Sequence, residues 1–319
     1  MSTNTRTQAQ VYRERQIESL RRTLGDDILG YLQDPVIIEI MLNQDGNIWV
    51  DVLGGDMEIR SRMDPVRAKM VIETVASMLD TSITKENPIL SGELPLDGSR
   101  FEAQIPPIVE APTFAIRKKA LLVFTLKDYV DKGIMTATQH DLIISAVRSR
   151  KNILVNGGTG TGKTTLANAI LHAISVETPE HRVVVIEDTR ELQISAPNVV
   201  SFRTSDQIDM TRLLKSTMRM RPDRIVVGEV RGKEALDLLK AWNTGHPGGV
   251  GTVHANDARA ALTRVSMLIQ EANVPPVPEL IAEAVNIVIS IKRTSTGRVI
   301  DEVMQVTGFR DGQFMTEML

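Results

Sequence analysis

Between Lys151 and Thr165 the chain reads Lys-Asn-Ile-Leu-Val-Asn-Gly-Gly-Thr-Gly-Thr-Gly-Lys-Thr-Thr, an apolar run that stops at a glycine-dense turn and passes straight into helix-forming residues. Gly157, four further residues, then Gly162, Lys163 and Thr164 meet the pattern of a phosphate-binding loop in its required setting, strand before and helix after. Polyphosphate must be met by several backbone N–H groups at once, which favours residues free of a Cβ and able to take positive φ. Gly157, Gly158, Gly160 and Gly162 meet that demand, with Thr159 and Thr161 between them. The helix that follows carries about half a positive charge at its N-terminus and favours an anion before any side chain acts. Lys163 would neutralise the β- and γ-phosphates of ATP, the Thr164 hydroxyl would ligate Mg²⁺, and Thr165 completes the binding segment.

Two apolar runs end in carboxylates. Arg224-Ile-Val-Val-Gly-Glu229 is a buried-strand pattern that delivers an acid beside the phosphates and their metal, making Glu229 the Walker B residue and a second Mg²⁺ ligand. Val183-Val-Val-Ile-Glu-Asp188 repeats the arrangement. Two acidic strand ends suit two tasks, one acid for Mg²⁺ and one to orient and deprotonate the attacking water; Glu187 is expected to serve the water. Thr244 to Ala255 places His246 and His254 around a glycine-rich stretch. No third and fourth ligand has the spacing of a zinc site, so neutral imidazoles would instead hydrogen-bond a γ-phosphate or relay its presence.

These residues need a scaffold, and 319 residues with 42% hydrophobic content suffice for two domains. No apolar run approaches the roughly 20 residues of a membrane span, and the polar start has no signal-peptide core, so a cytosolic or peripheral protein is expected. Cysteine is absent, which excludes disulfides and cysteine metal sites. A net charge of −3 gives no global field for nucleic acid, although Arg6, Arg13, Arg15, Arg21 and Arg22 against Glu14 and Glu18 leave residues 1–24 at +3. That stretch carries a helical stripe, Ile17, Leu20, Leu24, Ile28 and Leu32, softly broken at Gly25; it reads as helices packing on the first domain, or as a basic surface resting on acidic lipid.

Strands are expected at 36–42, 47–53 and 57–60, and a helix capped by Asp64 with Pro65 at its first position would face the core with Met70, Val71, Val75, Met78 and Leu79. Further strands lie at 99–105 and 113–117, so residues 1–124 form a compact α+β unit, and residues 125–135 read as a connector. From Thr136 onward helix and strand alternate, which implies a mostly parallel sheet wrapped by helices over 125–319, closed by a β-meander from Ile287.

The order and spacing of Gly157 to Thr165, Glu187 to Leu192, Gly228 to Arg231 and Gly245 to Ala255 resemble the Walker A, Asp box, Walker B and His box of the secretion traffic ATPases, in their conjugation and type IV secretion branch. The resemblance implies a RecA-like P-loop core, a PAS-like N-terminal domain, a homo-hexameric ring, ATP between the two domains, and partners in the inner membrane. It also implies that Arg100 and Arg117 reach the nucleotide phosphates, that Arg219 or Arg221 contacts phosphate, and that the machine drives pilus assembly or substrate passage. A ring translocase on nucleic acid is the rival reading, opposed by three Tyr, two Trp and no basic aromatic-interleaved stripe. A nucleotide switch is a third; no Asn-Lys-x-Asp guanine-reading motif occurs.

Overall fold

The computed structural model describes residues 8–52, 55–118, 124–205, 207–295 and 297–319, with side chains from residue 11 onward. Arg6 and Leu53 of the expectations above lie outside the described residues. The chain divides into two compact units, Met1–Leu121 and Leu122–Leu319.

In the first unit, α1 (Gln8–Gln33) bends at Gly25, whose φ of 75° and ψ of 170° interrupt the helix where the sequence suggested a soft break. Strands β1 (Ile37–Leu42), β2 (Asn47–Val52) and β3 (Glu58–Arg62) form one antiparallel meander, and β4 (Ile89–Glu93), β5 (Arg100–Gln104) and β6 (Thr113–Arg117) form another. Pairing of β1 with β6 fuses them into a six-stranded sheet of order β3-β2-β1-β6-β5-β4. Alternate residues such as Ile40, Leu42, Ile48, Val50, Phe101, Phe114 and Ile116 point into a core closed by Leu20, Leu24 and Ile28 of α1 and by α2 (Pro65–Met78). Asp64 caps α2 through the backbone N–H groups of Val66 and Arg67, at 3.0 Å each. Met70 departs from expectation: it is 53% exposed, and Ala68 and Ile72 take the core positions beside Val71 and Val75. Apolarity alone places Met70 in the core, whereas the buried stripe of α2 runs through Ala68, Val71, Ile72 and Val75.

The second unit carries an eight-stranded sheet of order β14-β13-β12-β7-β11-β10-β8-β9. Strands β7 (Ile153–Asn156), β8 (Val183–Glu187), β9 (Val199–Arg203), β10 (Arg224–Val227), β11 (Val250–Val253) and β12 (Ile287–Thr294) run parallel; β13 (Gly297–Arg310) and β14 (Gln313–Met318) add the antiparallel meander. Every residue of β7, β8, β10 and β11 is buried, as helices on both faces require of parallel strands. One face packs on α3 (Leu126–Asp131), α4 (Ala137–Arg148) and α5 (Lys163–Glu177). The other packs on α6 (Met210–Thr217), α7 (Glu234–Asn243), α8 (Ala258–Gln270) and α9 (Pro278–Ala284). The stretch expected as a connector contains α3, which the capping box of Thr125 and Asp128 starts and buried Leu126 and Tyr129 anchor. Leaving β7 the chain crosses to β8 on one side, and leaving β11 it crosses to β12 on the other, so the mouth of β7 is a topological switch point.

Candidate functional site

The loop after β7 turns on Gly160 at φ 70° and on Gly162 at φ 100°, the latter serving as the N-cap of α5 with no side-chain cap. A Cβ on Gly157 would collide with the Ile291 carbonyl and, at 2.7 Å, with Thr161 Oγ1, whereas Gly160 faces open space. The rear of the loop is thus packed against β12 and its outer rim is free, with the N-terminal N–H groups of α5 behind it. Such a cradle fits a polyphosphate. Thr161 Oγ1 donates to the Gly158 carbonyl at 2.9 Å and holds the turn.

Because β7, β8, β10 and β11 are parallel, their C-terminal ends bring four sequence stretches to one edge. Lys163, only 8% exposed, donates to Gly158 O at 2.9 Å and approaches His254 Nδ1 at 3.3 Å. His254 Nε2 lies 2.9 Å from Glu229 Oε1, Arg231 Nη2 lies 2.5 Å from Glu229 Oε2, and Arg231 Nη1 reaches Asp188 at 3.7 Å. Burial alone would raise the Glu229 pKa, but the Arg231 hydrogen bond and the charges of Arg231, His254 and Lys163 bring it below the usual carboxylate value. His254 is lowered by burial and then by Lys163, so it is neutral at pH 7. A neutral ring next to an ammonium must offer its Nδ1 lone pair to Lys163 and donate Nε2–H to Glu229. Lysine, histidine, glutamate and arginine therefore form one polarised row.

Glu187, expected to serve the attacking water, also binds backbone. It is 4% exposed, and its Oε1 accepts from the backbone N–H groups of Glu191 at 2.9 Å and Leu192 at 2.8 Å, so it shapes the turn after β8. A Cβ at Gly228 would stand 2.9 Å from Glu187 Cγ, which is why the strand before Glu229 ends in glycine. The turn carries Glu191 over the loop, where its Oε2 accepts from Thr164 Oγ1 at 3.2 Å, and Asn168 fixes the same turn through Glu191 O and Gln193 N. Thr164, Glu191 and Glu229 gather hard oxygen donors at the loop, the type that could hold Mg²⁺ or orient a water. Among the described residues no cluster of three or more His, Cys, Asp or Glu forms a metal cage.

Two further residues went unread in the sequence. Arg298 of β13 lays its Cδ and Nε within 3.3 Å of where a Gly162 Cβ would be, on the β12 flank of the loop, opposite the flank that Lys163 and His254 occupy. Only the sheet order reveals it, since 135 residues separate it from Lys163. Glu191 was readable as the acid beyond Glu187-Asp188, but nothing in the spacing distinguished it.

Two expected residues of the second unit lie away from the loop. His246 lies before β11, bonded through Nδ1 to the Pro222 carbonyl at 2.8 Å, and Arg219 lies exposed on the turn before β10; both occupy the N-terminal edge of the parallel sheet, opposite the loop. The parallel register that gathers His254 at the loop separates His246 from it. In the first unit Arg100 and Arg117 are direct cross-strand partners on β5 and β6, and Glu39 is the partner of Arg117 on β1. Burial, helped by the neighbouring Asp51 charge, raises the Glu39 pKa despite the lowering effect of Arg117 and Arg100. Like charges directly opposite one another are unfavourable unless an anion bridges them.

An all-helix-covered parallel sheet with a glycine cradle at its switch point, a buried loop lysine and two strand-end acids is a P-loop nucleotide-binding domain. Residues 23–306 match the family described as Type II/IV secretion system protein, and the chain belongs to that family. It is 50% identical over 303 residues to a probable conjugal transfer protein TrbB of Sinorhizobium fredii, covering 95% of this chain and 93% of that one. It is 32% identical over 289 residues to the type IV secretion system protein VirB11 of Bartonella henselae, covering 77% and 80%. Its fold is that of the pilus retraction motor PilT, with TM-score 0.63 at 20% identity over 92% of this chain and 82% of that one. The ATPase DotB of Legionella pneumophila shares it at TM-score 0.58 and 19% identity, over 93% and 81%. The RecA-like core follows from this likeness. Among the described residues no helix is long and apolar enough to cross a membrane.

Proposed function

We propose that the chain is a Mg²⁺-dependent ATP hydrolase that energises a conjugation or type IV secretion apparatus as a homo-hexamer on the cytoplasmic side of the inner membrane. The observation that carries this reading is the row Lys163–His254–Glu229 beside a loop whose Thr164 hydroxyl meets Glu191. Loop N–H groups and Lys163 bind the phosphates; Thr164 and Glu229 hold Mg²⁺, which supplies charge neutralisation on the β- and γ-oxygens. His254 keeps Glu229 and Lys163 in register, and Arg100 and Arg117 of the first unit serve as the phosphate-reading arginines of the family. The names of the relatives support the conjugation setting, while membrane attachment, ring formation and the choice between pilus assembly and substrate passage are carried by the family resemblance.

The water-orienting acid is Glu191 in place of Glu187, because a carboxylate already accepting two backbone N–H groups is a poor base. Glu191→Gln is expected to lower kcat by about 10²–10³ with ATP still bound. Glu187→Gln is expected to lower the melting temperature first, through the turn it organises. Steady-state phosphate release and thermal melts of both variants decide it: turnover unchanged in Glu191→Gln, with Glu187→Gln inactive at native stability, would restore Glu187.

Arg298, on the flank away from Glu229, fits the α-phosphate and nucleoside half that ATP and ADP share. Arg298→Ala is expected to weaken both nucleotides by about tenfold, the value of one charge-assisted hydrogen bond, with kcat held. A fluorescent-ADP titration beside steady-state kinetics checks this; a kcat loss at unchanged ADP affinity contradicts it.

A further inference from the structure

The bend of α1 is built around an arginine. At Gly25 the helix releases the carbonyls of Thr23 and Leu24, and Arg67 of α2 takes them, Nε to Thr23 O at 2.6 Å and Nη2 to Leu24 O at 2.9 Å. Gly25 suits the bend, since its φ is 75° and a Cβ there would displace Arg67 Nη2 from these carbonyls. The guanidinium is thereby fixed in place with its Nη1 amino group still free of protein acceptors among the described residues.

This fixed group lines a cavity of about 440 Å³ together with Arg21, Arg22 and Arg62, over an apolar floor of Leu24, Ile28, Ile48 and Met63. Asp26 and Asp27 complete the rim, leaving a net charge of +2. Among the described residues neither Arg21 nor Arg22 makes an ion pair, and neither aspartate is paired with an arginine of the rim. Arg62 donates one Nη2 proton to Asp45 O at 3.0 Å, which orients its fork as well. Four guanidiniums held at one rim without carboxylate partners repel one another, and two of them are positioned by backbone carbonyls, which leaves their charge unneutralised. Guanidinium forks match phosphate oxygens two at a time. The size lies within the range of small-molecule sites, far above what a single ion needs.

We infer that this cavity is a binding site for a phosphorylated ligand presenting a phosphate dianion, distinct from the nucleotide loop and housed wholly in the first unit. The dianion engages the free edges of Arg67 and Arg62 and draws in Arg21 and Arg22, while the apolar floor receives the carbon skeleton. Free phosphate esters and lipid headgroups share this chemistry.

The test uses the full chain carrying Lys163→Ala, which silences the nucleotide loop, with and without Arg21→Glu and Arg22→Glu. Both substitutions are at exposed positions, so folding is retained, and a melt confirms it. Pyrophosphate is titrated by calorimetry, and flotation is measured with vesicles of phosphatidylcholine alone or containing phosphatidic acid. Saturable pyrophosphate binding weakened at least tenfold by the charge reversals supports a soluble ligand. Flotation restricted to acidic vesicles and lost in the same variant supports a headgroup. Pyrophosphate and vesicle binding that are both absent, or both indifferent to the reversals, overturns the site.

Discussion

Lys163→Ala is expected to abolish ATP hydrolysis, with turnover falling about a thousandfold or more while the chain stays folded. The loop offers backbone N–H groups suited to phosphates, and among the described residues the one cation of α5 buried against it is this lysine, 8% exposed at the first position of the helix. A positioned cation on a transferring phosphoryl group contributes on the order of 10³ or more, because it acts where water is excluded and charge accumulates. The same ammonium donates to Gly158 O and meets His254 Nδ1, so its loss also frees the imidazole that holds Glu229. Lys163→Arg is a sharper control, since a longer planar fork cannot replace a point charge between a carbonyl and a ring nitrogen. Phosphate release, circular dichroism and nucleotide binding on the same preparations separate chemistry from folding. Hydrolysis within tenfold of wild type in the alanine variant would dismiss the assignment of this loop.

The legibility of this site in the sequence followed the range of the forces involved. Gly157 to Thr165 was readable because its demands are local: positive φ, absent Cβ atoms and a helix start, all within nine residues. The runs ending at Glu187 and Glu229 were readable as buried strands for the same reason. Which acid faces the loop was not, because Glu187 and Glu191 differ only in whether backbone N–H groups of the following turn close on the carboxylate. The two histidines, eight residues apart, looked equivalent until four residues of strand placed them at opposite edges of the sheet. Arg298 required the position of β13 beyond β12, a long-range pairing that no local pattern encodes. In the first unit the break at Gly25 was visible, but its cause, an arginine 42 residues later, was not.

The same limit applies to Arg224, read from sequence as the first residue of an apolar strand and found 1% exposed. Its Nη1 and Nη2 donate to Gly248 O and Val147 O at 2.8 Å each, and its Nε to His181 Nδ1 at 3.0 Å. Asn152 Oδ1 accepts from Gly248 and Gly249 beside it, so the starts of β7, β10 and β11 are tied together at the edge away from the phosphates. That lock sets the register with which His254 and Glu229 arrive at the loop. Burial, then the charge of Arg150, lowers the Arg224 pKa to about 10, still far above neutrality, so the guanidinium remains charged. Arg224→Met relieves the desolvation of that charge but orphans the buried Gly248 carbonyl at about 1–3 kcal/mol, while Val147 O keeps the Arg150 N–H at 3.1 Å, for a net loss of about 1–2 kcal/mol. Arg224→Lys does not restore it, as one ammonium cannot span three acceptors set for a fork. His181 adds a pH dependence. Burial first, then the charges of Arg224 and Arg150, lower its pKa below the ordinary 6.5, so the unfolded chain binds its proton more readily than the folded one. Stability is therefore complete above about pH 6.5 and falls as pH drops from there toward the lowered folded value. Urea unfolding of wild type and both variants at pH 7.5 and 5.5 measures these effects together. A wild-type midpoint in Arg224→Met at pH 7.5 would mean that the strand starts hold their register without the guanidinium, and the path from this edge to the phosphate loop would have to run through Asn152 alone.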